Sequence, residues 1–103
     1  MKLTIEQSLL QGAKAFKEGR LKDAEQLYRA ILKSQPQHPK ANHNLGVLAV
    51  GIGKVQEALP LFKTALEASP STTQLWFSYI DALIKLEKFA EAKAVLRRAK
   101  DKG

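Results

Sequence analysis

Gly51-Ile52-Gly53-Lys54 is the stretch of this chain that most resembles a site of chemistry. Glycines ahead of a lysine recur where backbone N–H groups cradle a phosphate and an ammonium reaches it. That pattern runs G-x-x-x-x-G-K-[ST] between a strand and a helix. Gly46 and Gly51 have the right gap, but Ile52 follows where lysine is required. Gly53-Lys54 is followed by Val55, not by serine or threonine. The phosphate reading fails.

Other reactive groups fare no better. His38 and His43 lack cysteine partners and H-E-x-x-H spacing, so no metal site is expected. His38 is placed in a loop, and His43 exposed on a helix. No serine sits in a G-x-S-x-G elbow. The ten carboxylates are scattered or fall at helical spacing from cations, as Glu18 from Lys22 and Glu25 from Arg29. Such pairs add only a few tenths of a kcal/mol to a helix. Neither an enzyme active site nor a cofactor is expected.

With 103 residues, 45% apolar and 26% charged, the chain has the size and composition of one soluble domain. Its longest nearly apolar run, Leu45 to Gly53, is too short to span a membrane. Glu6 and Gln7 interrupt what a secretion signal would keep apolar. Cysteine is absent, which is compatible with a reducing compartment, and a cytoplasmic location is expected. The net charge of +7 invites a nucleic-acid reading, but only Lys93, Arg97, Arg98, Lys100 and Lys102 are dense. Cations near a helix C-terminus usually form a solvated face that complements the helix dipole.

The glycines find their explanation in an internal repeat. A shift of 34 residues sets Gly12 on Gly46, Ala15 on Ala49, and Gly19 on Gly53. It aligns Leu21, Val55 and Phe89; Ala24, Ala58 and Ala92; Leu27, Leu61 and Val95. Tyr28, Phe62 and Leu96 follow, then Ile31, Ala65 and Ala99, and Pro36 meets Pro70. A period of this length without slippage marks a stacked array.

Each unit reads as two helices. In the middle unit Ala41, Leu45, Leu48, Ala49 and Ile52 recur at helical steps before Gly53. Ala58, Leu59, Leu61, Phe62, Ala65 and Leu66 form a second helix that Pro70 stops. Small residues at Gly12, Gly46, Ala24, Ala58 and Ala92 let the two helices approach, and Tyr28, Phe62 and Leu96 are expected to fill space toward the neighbouring unit. Pro60 predicts a late start or slight kink in its helix. Glu87 stands where a turn glycine would be.

The pattern resembles the tetratricopeptide repeat, TPR, whose period is 34 residues. The middle unit carries it as Asn42, Leu45-Gly46, Ala49, Gly53, Ala58, Phe62, Ala65 and Pro70. The third carries Trp76, Tyr79, Leu83, Ala92, Leu96 and Ala99, and the first Gly12, Ala15, Gly19, Ala24, Tyr28 and Pro36. The fold implied is all-α: an α-solenoid of three stacked antiparallel helix pairs, six helices, in units of about 5–38, 39–72 and 73–103. One domain over 1–103, cut from a longer protein, is expected.

The resemblance implies a concave groove lined by first helices. Repeat register assigns to it Glu6, Leu9, Ala13 and Lys17; Lys40, His43, Asn44, Val47 and Val50; and Gln74, Phe77, Ser78, Asp81 and Lys85. Leu9, Val47 and Phe77 are apolar where the core does not require it. Asn44 matches the family asparagine that holds a bound peptide's backbone. A chaperone-tail clamp is not implied, because Leu9, Ala13, Gln74 and Ser78 replace its lysines, asparagine and arginine.

The function expected is a protein-interaction scaffold whose groove takes a partner polypeptide. Alternatives are an accessory, substrate-selecting region of a larger enzyme such as a glycosyltransferase, and nucleic-acid binding by the basic last helix. Repeat ends left open, with Leu96 and Ala99 toward water, would also permit self-association.

Overall fold

The computed structural model describes residues 3–102. Met1, Lys2, Gly103 and the Lys102 side chain, which the sequence places at the two ends of the array, lie outside the described residues. Six helices follow one another: α1 (Ile5–Lys17), α2 (Leu21–Ser34), α3 (Pro39–Gly51), α4 (Val55–Ala68), α5 (Thr73–Lys85) and α6 (Phe89–Lys102). Each unit is 13 residues, a tight turn, then 14 residues.

Local chemistry explains the helix limits. Thr4 caps α1 reciprocally with Gln7: the Gln7 N–H donates to Thr4 Oγ1 at 3.0 Å, and the Thr4 N–H to Gln7 Oε1 at 2.9 Å. His38 caps α3, its Nδ1 accepting from the Ala41 N–H at 3.2 Å, with Pro39 at the first helical position. Inside each unit the turn closes identically. The N–H of Arg20, Lys54 and Lys88 donates to the carbonyl of Ala15, Ala49 and Leu83, at 2.8 Å each time. That closure needs one left-handed residue, which is Gly19 (φ 80°), Gly53 (φ 82°) or Glu87 (φ 58°).

Packing between helices depends on matched small and large residues. Gly46 lies beneath Phe62, and a Cβ there would come within 2.7 Å of the ring's Cδ1. Gly12 meets Tyr28 in the same way. The aromatics sit on the glycine of their own unit and, as expected, also fill space toward the next: Tyr28 shares a cluster with Ala41, Leu45 and Leu48, and Phe62 with Ala82. In the third unit the sizes are exchanged, with Ile80 at the glycine's place and Leu96 at the aromatic's.

One expectation is narrowed and another corrected. α4 begins at Val55, on schedule, and runs through Pro60, so no late start occurs. Glu18 pairs with Arg20 at 2.8 Å rather than with Lys22, because both flank the turn where the chain reverses. Glu25 does pair with Arg29, at 2.9 Å.

The curvature follows from which helices meet. α1 touches α3 and α3 touches α5, whereas α2, α4 and α6 do not approach one another. Close first helices and splayed second helices bend the array toward the first-helix side. The result is an all-α helical-repeat solenoid, with principal extents of 45 × 26 × 19 Å.

Candidate functional site

On the inner side of that bend, α1, α3 and α5 and the loops between units enclose an open channel of about 840 Å³. Six of the residues assigned by register line it: Glu6, Leu9, Lys40, His43, Asn44 and Gln74. Ile5 and Leu75 add apolar wall, and Gln35, Ser69 and Thr72 add polar rim. Rigid helices hold these side chains, and the channel's size is that of an ordinary ligand site, for which the usual range is roughly 300–1,000 Å³.

The remaining assigned residues are distributed differently. Ala13 and Lys17 are exposed further along α1. Val47 and Val50 are half-buried against Ala49, Ala58 and Phe62. Asp81 pairs with Lys85 at 3.2 Å. Ser78 is half-buried, and Phe77, 65% exposed, lines a second cavity at the C-terminal end of the array instead of the channel.

His43 departs most from expectation. It is buried, not exposed, because Ser78 and Phe62 close around it. Its Nε2 lies 2.7 Å from Ser78 Oγ of the next unit. Its ring is 5.6 Å from that of Phe62, tilted by 43°. Burial holds its pKa below the ordinary histidine value, an effect that Asn44 partly offsets, so the ring is neutral at neutral pH. Burial also raises the Tyr28 phenol, again with Asn44 opposing. Asn44 lines the channel, half-buried beside His43 in the sequence.

Tetratricopeptide repeat family models match residues 9–71 and 49–103 of the sequence. The chain belongs to the tetratricopeptide repeat family. Among solved structures, the TPR2B domain of yeast Sti1 in a pHsp70 complex superposes with a TM-score of 0.85 at 21% identity, over 95% of this chain and 78% of that one. The second TPR of Spaghetti (RPAP3), bound to the HSP90 peptide SRMEEVD, gives 0.84 at 20% identity, over 96% and 92%. A MamA D159K mutant gives 0.79 at 27% identity, over 94% of this chain and 56% of that one. A search of curated proteins finds no match.

TPR register also accounts for two polar anchors that residue type alone does not reveal. Asn42 is buried and donates from Nδ2 to the carbonyls of Pro36 and His38, both at 3.0 Å. One period later Trp76 donates from Nε1 to the Pro70 carbonyl at 2.7 Å. A large side chain six residues after each proline thus ties the inter-unit loop to the following first helix. The signal was present in the sequence as the shared offset from Pro36 and Pro70. For the His43–Ser78 contact the only signal was a spacing of 35, one period plus one.

Among the described residues no group of three His, Asp or Glu side chains could hold a metal ion. No helix is long and apolar enough to cross a membrane among them either.

Proposed function

We propose that this TPR array is a non-catalytic interaction module, working in the cytoplasm, whose inner channel holds an extended segment of a partner polypeptide. The observation that carries this reading is the channel of about 840 Å³ across three first helices, with the amides of Asn44 and Gln74 in its lining. An extended peptide leaves an N–H and a C=O unpaired at every residue. Asn44 and Gln74 can each donate and accept, so they satisfy such a backbone without reading its side chains. Leu9, Ile5 and Leu75 supply apolar contact, while Glu6 and Lys40 offer one charge of each sign.

The Sti1 domain was solved in a pHsp70 complex and the RPAP3 domain with the HSP90 peptide SRMEEVD. Here Leu9, Ala13, Gln74 and Ser78 stand where the clamp for such acidic tails needs cations and an amide. The ligand we infer is therefore a mixed-polarity segment.

A library of disordered peptides displayed on phage and selected on the folded protein tests the reading. Selected peptides should bind about tenfold more weakly, ~1.4 kcal/mol, to an Asn44→Ala, Gln74→Ala double variant. Labelled SRMEEVD should show no saturable binding. Selected peptides that ignore the double variant would refute the channel as the working surface.

A further inference from the structure

Both histidines of the chain, His38 and His43, line the inner channel, each in a setting that favours the neutral ring. His38 Nδ1 accepts from the Ala41 N–H at 3.2 Å, the bond that caps α3. The lone pair making that bond is the one a second ring proton would take. Protonation therefore uncaps the helix that carries Lys40, His43 and Asn44 into the channel.

His43 meets a different obstacle. It is buried against Phe62, and its Nε2 reaches Ser78 Oγ at 2.7 Å, so one ring joins α3 to α5. Ser78 can still accept from a protonated ring. However, a hydroxyl and a phenyl compensate poorly for the water that a buried charge gives up. Burial already holds the His43 pKa below the ordinary histidine value.

The charges facing the two rings do not offset this cost. α1 presents Glu6 and α3 its own Lys40, and these are the one carboxylate and the one ammonium among the lining residues. α2 packs on α3 through Tyr28, whose phenol burial raises, and α4 meets His43 through Phe62. α5 brings Ser78 and, one turn further on, Asp81, which Lys85 already pairs at 3.2 Å. Gln35, Ser69, Thr72 and Gln74 are uncharged. Protonating both rings takes the lining from net neutral to net positive.

A polypeptide laid along the channel covers these rings and removes water from them. That step costs more for a charged ring than for a neutral one, so binding and protonation oppose each other. We propose that the channel is proton-gated: it holds its polypeptide while His38 and His43 are neutral and releases it when they are protonated. The inference rests on the reading of the channel as a peptide site.

The test uses acetylated, amidated peptides selected on the folded protein from a library without Asp, Glu or His, so that only the protein titrates. Those whose binding the Asn44→Ala, Gln74→Ala variant weakens are carried forward. Their affinity for the natural sequence should fall about tenfold from pH 7.5 to pH 5, with the helical circular dichroism signal unchanged. The ratio of the two affinities should approach one in a His38→Asn, His43→Gln variant, since asparagine caps a helix without titrating. Glu6→Gln should change affinity by the same factor at both pH values. In NMR titrations of the natural protein, saturating peptide should move the midpoints of both histidine rings downward, by reciprocity.

Equal or tighter binding at pH 5 overturns the gate and leaves the channel reading standing. So does a pH ratio that survives the double histidine variant, or ring midpoints that ignore the peptide. Loss of helical signal at pH 5 also overturns it, because release would then be unfolding. Selected peptides that all ignore the Asn44→Ala, Gln74→Ala variant remove the channel reading itself, and the gate with it.

Discussion

In the middle unit a glycine lies under an aromatic ring; in the third, Ile80 stands at the glycine's place and Leu96 at the aromatic's. The two arrangements distribute burial differently. Phe62 is sealed at 2% exposure because another unit covers it, whereas Leu96 stays open. The turn glycine shows the same contrast, with Gly53 left-handed at little cost and Glu87 forced into that region. One backbone plan thus tolerates different sequences, and it is the presence of a neighbour that decides what each residue contributes.

The widest difference should appear on truncating the matched large residues. Phe62→Ala should cost about 3–5 kcal/mol, since a buried ring leaves a cavity. Leu96→Ala should cost about 1 kcal/mol or less, because much of the side chain already meets water. Urea unfolding of the two variants checks this, and equal losses would break the comparison. Next comes the small side of the same contact. Gly46→Ala drives a methyl into the Phe62 ring and should cost a net ~1–2 kcal/mol, overpacking less the gain in helix propensity. Ile80→Ala, on a half-open face, should cost about 1 kcal/mol or less by the same measurement.

The turns should respond with opposite signs. Gly53→Ala should destabilise by about 1–2 kcal/mol, and Glu87→Gly should stabilise by about 1 kcal/mol, because a side chain resists the left-handed region. A Glu87→Gly variant that melts lower than the natural sequence would show that Glu87 is not strained.

The smallest effect concerns pH. His43 has its native pKa depressed, so the unfolded chain binds the proton more readily, and stability rises with pH through that window. The contribution is complete above the unfolded value of about 6.5 and is lost as pH falls through the native value. Thermal midpoints between pH 7 and pH 5 should therefore drop further for the natural sequence than for His43→Leu.

Fold and site were legible to different depths. The six helices and their turns follow from the repeat, because packing demands recur every 34 residues and local helix signals agree with them. Glu87 could be placed in the turn because its position, not its type, identified it. His43 could not be read correctly, since its burial depends on Ser78 and Phe62, one on the next unit and the other on the partner helix. The tethers of Asn42 and Trp76 escaped for a related reason: bulk explains those positions well enough to hide the hydrogen bond.

Trp76 is the chain's one tryptophan. It lies buried where the middle and third units join, its indole N–H held by Pro70 and the Arg98 guanidinium 5.7 Å from its ring centroid. The molecule therefore carries its own fluorophore at a single joint. Its emission should redden when the last helix pair peels away and stay constant while the opposite end frays. Solenoids lose structure from their ends, so the colour of this one indole tells an observer which end has gone.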